Sequence, residues 1–164
     1  MPEAERAAVP SRSVGSIDEL KELVGQDLGV GGWVEITQQM VNDFGEISGQ
    51  SGWVHNDPVR AANSSFGGTI AQGYLILSLE AVLGREWEGI KMDLHQKVTL
   101  NYGLNRVRFV TPVRVGARIR LGSKLLEVSD VGEGAYQIVT ALTVEVEGQE
   151  KPAMVAERIR RLYL

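Results

Sequence analysis

The segment from Ile70 to Leu83 limits the possible folds of this chain more than any other feature. It is the most apolar stretch of the 164 residues, and it follows the glycine-rich run 67–69. Its apolar residues leave almost no polar face, and a helix that is apolar on nearly every side has to be buried. The segment therefore predicts one long helix at the centre of the domain.

The second half of the chain predicts the elements that cover this helix. Apolar and polar residues alternate over 113–121 and 136–147, with the period of two of a strand that is buried on one face. The glycines of 130–134 predict a hairpin turn between these strands. Further strands are predicted over 98–102, 107–110 and 154–162.

This order of elements indicates an α+β domain, in which a long central helix is wrapped by a curved antiparallel β-sheet. Because such a sheet leaves edges that need a partner, a homodimer joined edge to edge is also predicted. Two shorter helices are predicted before the central one. Ser16 is placed as the cap of a helix over 17–24, and a helix that begins at Thr37 is predicted to stop at Gly45.

Size and composition favour a single soluble domain. Residues 17–164 are predicted to form it, after a flexible leader over 1–16 that has no targeting signal. The chain has no cysteine, which excludes disulfides and cysteine nucleophiles, and its formal net charge of -4 argues against nucleic acid as a partner. The uncharged run 61–79 contains too many polar residues to span a membrane. The predicted location is cytoplasmic, with no membrane partner.

His55 is the candidate for acid–base chemistry. It is one of 2 histidines and lies in a Gly/Ser-rich loop, five residues after Gln50. An imidazole titrates near neutral pH, so it can move protons at a reacting centre. The run 67–73 can supply N–H groups at a helix N-terminus to a negative oxygen. The alternative is that the glycines only shape a turn and that His55 only holds its loop.

No metal site is predicted, because His95 lacks ligands at suitable spacing.

Three segments carry a resemblance to a known family. Residues Gly49–Pro58, Phe66–Leu75 and Asn101–Phe109 closely resemble three consecutive motifs of the MaoC-like, (R)-specific enoyl-thioester hydratases and dehydratases, especially the branch that is similar to nodulation protein N. The similarity runs from about residue 30 to residue 128, with the motifs in the same order and spacing. It implies a hot dog fold, a long central helix in an antiparallel sheet, and a dimer.

The resemblance also implies roles for individual residues. His55 matches the catalytic histidine, and Gly73 matches the glycine whose amide polarises the thioester carbonyl. Gln50 stands where the family has a catalytic aspartate. The positions implied to contact the substrate are Trp53, Gly68, Gln72, Tyr74, Tyr102 and Gly103. No separate cofactor is implied, since coenzyme A or phosphopantetheine belongs to the acyl-thioester substrate, which the family takes on coenzyme A or on an acyl carrier protein.

The resemblance thus implies an (R)-specific enoyl-CoA hydratase or 3-hydroxyacyl-thioester dehydratase whose usual aspartate is replaced by Gln50. An amide can orient water but cannot exchange a proton as a carboxylate does, and the loss of one acid–base group lowers a rate by a factor of about one hundred to ten thousand. Two alternatives remain open: another thioester, enolate or polyketide-tailoring step that uses His55 alone, and a non-catalytic module that binds acyl-thioesters. An engineered Gln50 is a third, although the unusual Ser51 and Gly52 favour natural divergence.

The strand region is basic, although the chain as a whole is acidic. The cations are Arg106, Arg108, Arg114, Arg118, Arg120 and Lys124. They form either a solvated strand face or contacts to the phosphates of the substrate handle.

Overall fold

The computed structural model describes residues 9–164. In this part of the chain, the elements are β1 (Arg12–Val14), α1 (Ile17–Lys21), β2 (Asp27–Val30), β3 (Val34–Glu35), α2 (Gln38–Ser48), α3 (Trp53–Asn56), α4 (Pro58–Ala62), α5 (Gly73–Ser78), α6 (Glu80–Leu83), β4 (Glu88–Met92), β5 (Val98–Phe109), β6 (Arg118–Gly132), β7 (Ala135–Val146) and β8 (Met154–Tyr163).

The strands form one sheet in the order β1-β4-β2-β6-β7-β8-β5, and β3 pairs with β6 beside this path. The sheet is mixed, because β1 runs parallel to β4, whereas the other pairs are antiparallel. The prediction of a wholly antiparallel sheet is therefore wrong at this edge. Strand β1 lies within the predicted leader over 1–16 and buries Val14, so the sheet begins before residue 17. Residues 1–8 of that leader lie outside the described residues.

Strands β6, β7 and β8 show why the period-two pattern predicts this sheet. Leu121 of β6 pairs with Val144 of β7, and both side chains are buried. The predicted hairpin lies between β6 and β7, where Gly132 pairs with Ala135. The predicted strand over 113–121 begins only at Arg118, because the preceding main chain bonds to other segments, as Val113 does through its carbonyl to the Ala71 N–H.

The long central helix is the part of the prediction that the structure contradicts. The segment forms α5 and α6, of 6 and 4 residues, with Leu79 between them at ψ 1°. A regular helix needs ψ near −42°, so the helix is interrupted there. Ile70 and Ala71 are not helical, since their N–H groups donate to the carbonyls of Val54 and Val113. An apolar pattern reports burial, and burial does not require a continuous helix.

The longest helix of residues 9–164 is α2, with 11 residues. Thr37 caps it as predicted, because its side chain accepts a hydrogen bond from the Met40 N–H. The predicted stop at Gly45 is wrong: the helix continues to Ser48, and Gly49 ends it with φ 74°, a conformation that glycine adopts at little cost. Gly45 is instead a buried position of close packing, which matters for the site below.

Two groups of buried side chains hold the domain together. The first packs α5 and α6 against the sheet and includes Leu75, Ile76 and Leu83. The second packs α1 under the other end of the sheet, where Ser16 caps the helix as predicted and Leu20 is fully buried. Within residues 9–164, no helix has the length and apolar character to cross a membrane.

Candidate functional site

His55 lies in the short helix α3 and not in an open loop. Gly52 begins this turn, since its carbonyl accepts hydrogen bonds from the N–H groups of His55 and Asn56 at 2.9 and 3.2 Å. The helix is followed by α4, which Asp57 caps by accepting from the Arg60 N–H. The His55 side chain is half-buried.

The imidazole of His55 has a defined orientation. Its Nδ1 lies 2.7 Å from the carbonyl oxygen of Ile70. A carbonyl oxygen only accepts hydrogen bonds, so Nδ1 has to carry the proton that is donated to it. In the neutral imidazole, Nε2 then holds the free lone pair. The contact leaves Nε2 as the nitrogen that can take a proton from a substrate.

A set of side chains that the sequence did not single out holds this arrangement. The Gln38 side chain donates from Nε2 to the His55 carbonyl at 2.8 Å and accepts from the Thr69 hydroxyl at 2.6 Å. The Ile70 N–H donates to the Val54 carbonyl at 3.1 Å. These bonds connect α2, α3 and the segment that precedes α5. The available signal was the position of Gln38 directly after the Thr37 cap, which places it in the first turn of α2.

Gln50 and Gln72 meet in the same region. The buried Gln72 side chain donates from Nε2 to the carbonyls of Val41 and Gln50, at 3.0 and 3.1 Å. Its Oε1 is buried and has no hydrogen-bond partner. A Cβ at Gly45 would lie 3.1 to 3.3 Å from Ser51 Oγ, the Gln50 carbonyl and Gln72 Nε2. The glycine that was predicted to end α2 is therefore the one that lets this loop approach the helix.

Gly73 is the first residue of α5, directly after Gln72. The first N–H groups of a helix have no acceptor inside it, and Gln72 caps α5 without a side-chain hydrogen bond. An added Cβ at Gly73 would come within 2.8 Å of the Phe109 ring. The Tyr74 ring meets the same ring edge to face, with the centroids 5.8 Å apart. Gly73 therefore presents its backbone beside an aromatic wall from β5.

The remaining predicted site residues lie on three other parts of the chain. Trp53 is in α3, where the Arg60 guanidinium lies over its ring at 4.4 Å from the centroid. Gly68 precedes Thr69 and has φ 158°. Tyr102 and Gly103 lie on β5, and the Tyr102 ring contacts Arg161 of β8, 3.6 Å from the centroid. Hydrogen bonds connect His55 to Ile70 and Gln50 to Gln72, so both residues are held against the segment 70–72. Tyr102 makes its contact on the sheet instead.

Three of the six cations of the strand region have carboxylate partners. Arg106 pairs with Glu157 at 3.1 Å, and Arg118 pairs with Glu147 at 2.9 Å. Arg120 pairs with Glu145 at 2.7 Å. Cross-strand ion pairs of this kind favour the solvated-face interpretation for these residues.

Comparison with known proteins gives one family. The model of the MaoC like domain matches residues 19–148. A 3-hydroxyacyl-thioester dehydratase Z of Mycobacterium tuberculosis is 45% identical over 150 residues, which cover 92% of this chain and 97% of the relative. Nodulation protein N of Rhizobium meliloti is 38% identical over 149 residues, with 88% of this chain and 89% of the relative covered.

Solved structures share the fold. The monoamine oxidase regulatory protein from Archaeoglobus fulgius has a TM-score of 0.72 and 21% identity, covering 94% of this chain and 97% of its own. The (R)-hydratase from A. caviae, which is involved in PHA biosynthesis, has a TM-score of 0.64 and 22% identity, covering 84% of this chain and 94% of its own. At this level of identity the likeness shows the fold alone, which is the expected α+β hot dog architecture. In this chain it has a mixed sheet in place of the expected antiparallel one, and it lacks the expected long central helix.

Proposed function

This chain belongs to the MaoC-like dehydratase family, and we propose that it is a lyase that removes water from a 3-hydroxyacyl thioester or adds water to the matching trans-2-enoyl thioester. One observation carries the proposal. The 2.7 Å contact between His55 Nδ1 and the Ile70 carbonyl leaves Nε2 as the base, and Ile70 leads along the chain to the Gly73 N–H. A base and an oxyanion donor are thus held by one short segment, and the 45% identical dehydratase supports the reaction class.

In the dehydration direction, His55 Nε2 removes the proton on C2 of the 3-hydroxyacyl thioester. The electron pair of that C–H bond forms an enolate, and its oxygen is stabilised by the Gly73 N–H. The imidazolium then gives its proton to the C3 hydroxyl, which leaves as water while the C2–C3 double bond forms. One histidine therefore both takes and returns the proton, so the net charge is unchanged at the end. Hydration follows the same steps in reverse.

Gln50 has the role of a water positioner in this scheme. Its side-chain amide can donate and accept hydrogen bonds, but it does not exchange protons near neutral pH. The unpartnered, buried Oε1 of Gln72 adds a further acceptor for a water beside Gly73. Both groups orient the water that enters or leaves, and the proton transfers fall to His55 alone.

The substrate handle is coenzyme A or the phosphopantetheine of an acyl carrier protein. Trp53, Gly68, Gln72, Tyr74, Tyr102 and Gly103 are the proposed substrate-binding positions. Turnover of a trans-2-enoyl group presented on coenzyme A and on a carrier protein, compared at equal concentration, separates the two handles by kcat/KM.

His55→Ala tests the catalytic role. We expect kcat/KM for trans-2-enoyl-CoA hydration to fall by a factor of about one hundred to ten thousand, since a positioned acid–base group is lost. His95→Ala is the matched control, because the side chain of the other histidine is 85% exposed. Equal activity of the His55 variant and the wild-type protein would rule out this mechanism.

Gln50→Asp tests whether the rest of the site is intact. The new carboxylate restores a second acid–base group, so hydratase activity should rise, by up to the factor of about one hundred to ten thousand that such a group contributes. Unchanged hydratase activity would show that other parts of the site have also diverged. Tight binding of acyl-CoA without turnover in both proteins would instead support a binding module and overturn the proposed reaction.

The working unit is proposed to be a homodimer joined along β5. This strand ends the sheet, and its large apolar side chains are exposed by more than a third, namely Val98, Leu100, Tyr102, Leu104 and Phe109. An edge strand of this kind needs a cover in solution. Sedimentation should give a dimer for the wild-type protein and a monomer for Leu100→Lys with Leu104→Lys, and a monomeric wild-type protein would contradict the proposal.

A further inference from the structure

A cavity of about 260 Å³ lies at the opposite end of the α5–α6 segment from Gly73. Trp87, Ile90 and Met92 give it apolar walls. Arg158, Arg160 and Ser123 add polar atoms to the same lining. The cavity thus combines an apolar body with a few convergent polar groups, as small-molecule sites do.

The charges in the cavity do not balance. Glu80 of α6 contacts both guanidinium groups, that of Arg158 and that of Arg160, the latter at 2.7 Å. One carboxylate therefore faces two cations, which leaves one positive charge in excess. Arg158 is 8% exposed, and a buried cation without a full counter-charge is unfavourable.

Several donors in this cluster have no acceptor. The Nε atoms of Arg158 and Arg160 are buried and unpartnered, and so is the hydroxyl of Ser123, which is 5% exposed. Burial, and then the charge of Arg160, lower the pKa of Arg158 to about 9, so its guanidinium still carries its charge at neutral pH. Buried donors normally have partners. An anion with oxygen atoms would supply both the missing hydrogen-bond acceptors and the missing negative charge.

The cavity lies within reach of a substrate bound at Gly73. Glu80 and Gly84 line it and follow Gly73 by 7 and 11 residues along the α5–α6 segment. A regular helix of these lengths would span roughly 10 to 16 Å, which gives the scale of the separation although the helix is interrupted at Leu79. A medium-length acyl chain whose thioester carbonyl lies at the Gly73 N–H would place its far end near this cluster. The apolar walls suit the chain, and the arginines suit a charged end.

We propose that the cavity binds the distal carboxylate of the acyl chain, so that the preferred substrates are thioesters of dicarboxylic acids. This inference rests on the proposed function and specifies its substrate class. The carboxylate supplies the missing negative charge beside Arg158 and Arg160 and accepts from Ser123. A terminal methyl group would leave the same donors without an acceptor.

The test compares two medium-chain trans-2-enoyl-CoA substrates of equal carbon number, one ending in a methyl group and one in a carboxylate. We expect kcat/KM to be about 10- to 100-fold higher for the carboxylate, the range that charge-assisted hydrogen bonds give. Arg160→Met should remove this preference, because it leaves the Glu80–Arg158 pair neutral. Arg158→Met provides the same test, because it retains the Glu80–Arg160 pair. Arg118→Met, at a half-exposed ion pair of the sheet, should keep it.

Failure of this inference is distinguishable from failure of the proposed function. Turnover of both substrates with equal kcat/KM would overturn the carboxylate site and leave the dehydratase proposal standing. If neither substrate is turned over, calorimetry with the saturated pair decides: a preference for the ω-carboxyacyl-CoA that Arg160→Met abolishes supports the site, and equal affinity overturns it. Binding of a free alkanoate as tight as that of the ω-carboxyacyl-CoA would also overturn it, since the cavity would then serve a separate anion.

Discussion

The two ends of the α5–α6 segment have different polar surroundings. The start of the segment follows the neutral hydrogen bonds around His55, whereas at the other end Glu80 forms ion pairs with Arg158 and Arg160. The unpartnered atoms differ in kind. Near His55 they are acceptors, Oε1 of Gln72 and Oδ1 of Asn56; near Glu80 they are donors on the arginines and Ser123. A region that lacks donors suits water, and a region that lacks acceptors suits an anion. The difference matches the two proposals, a reaction with water at the first end and a carboxylate at the second.

The comparison also separates two ways of holding a buried polar group. His55 is oriented by main-chain carbonyls and by Gln38, which keep their geometry without a net charge. The Glu80 cluster depends on ions that had to leave water, and such clusters are sensitive to the loss of one member. Removal of a partner should therefore affect mainly function at the first end and mainly stability at the second.

Glu80→Gln should have the largest effect on stability. It leaves the buried Arg158 beside the half-buried Arg160 without a carboxylate, and loss of one partner of a buried ion pair costs about 3 to 5 kcal/mol of unfolding free energy. Denaturant unfolding measures this loss. Glu147→Gln is the matched control, because its ion pair with Arg118 is half-exposed and such pairs contribute about 0 to 1 kcal/mol. Equal losses in the two variants would show that the Glu80 cluster is not a buried one.

Gln38→Leu should have an intermediate effect that also appears in kinetics. The change leaves the His55 carbonyl without its side-chain donor and the Thr69 hydroxyl without its acceptor, and each unsatisfied buried group costs about 1 to 3 kcal/mol. We expect kcat to fall more than KM rises, because His55 loses its orientation. Gln39→Leu is the neighbouring control, since Gln39 bonds to the exposed Asp43. A rise in KM at constant kcat would argue against this positioning role.

Gly73→Ala should have the smallest effect. The new methyl group would meet the Phe109 ring at 2.8 Å, but this ring is 45% exposed and can move aside. We expect a loss at the lower limit for overpacking, about 1 kcal/mol, and rescue by Phe109→Leu in the double variant. Unfolding of the two single variants and the double variant gives the coupling energy. If the two losses of unfolding free energy were additive in the double variant, contact with the Phe109 ring would not be the cause of the loss in Gly73→Ala.

The sequence predicted what depends on local patterns. Period-two alternation predicted β7, the glycines of 130–134 predicted the β6–β7 hairpin, and the cap preferences predicted the starts of α1 and α2. The family motifs correctly indicated the family and the α+β architecture, but not the mixed sheet or the missing long helix. The position of His55 in a helical turn was not predicted, because the Gly/Ser-rich surroundings are typical of a loop.

The remaining features depend on contacts between distant segments. The interruption at Leu79 and the parallel pairing of β1 leave no trace in the periodicity of those segments. Gly45 looks like a helix stop by its residue type, and only the approach of Gln50 and Gln72 shows that it is a packing position. The Glu80–Arg158 contact joins residues of the first and second halves of the chain, which no local pattern records.

The interruption at Leu79 has an evolutionary consequence. In an unbroken helix, the insertion or deletion of one residue would rotate all later residues by about 100° relative to the residues before it. The orientation of Gly73 and that of the residues around Glu80 would then be coupled. Here the non-helical ψ of Leu79 already separates α5 from α6. Changes in length or sequence after Leu79 can alter the proposed carboxylate site while Gly73 keeps its place, so that the proposed substrate preference can diverge without a change in the proposed reaction.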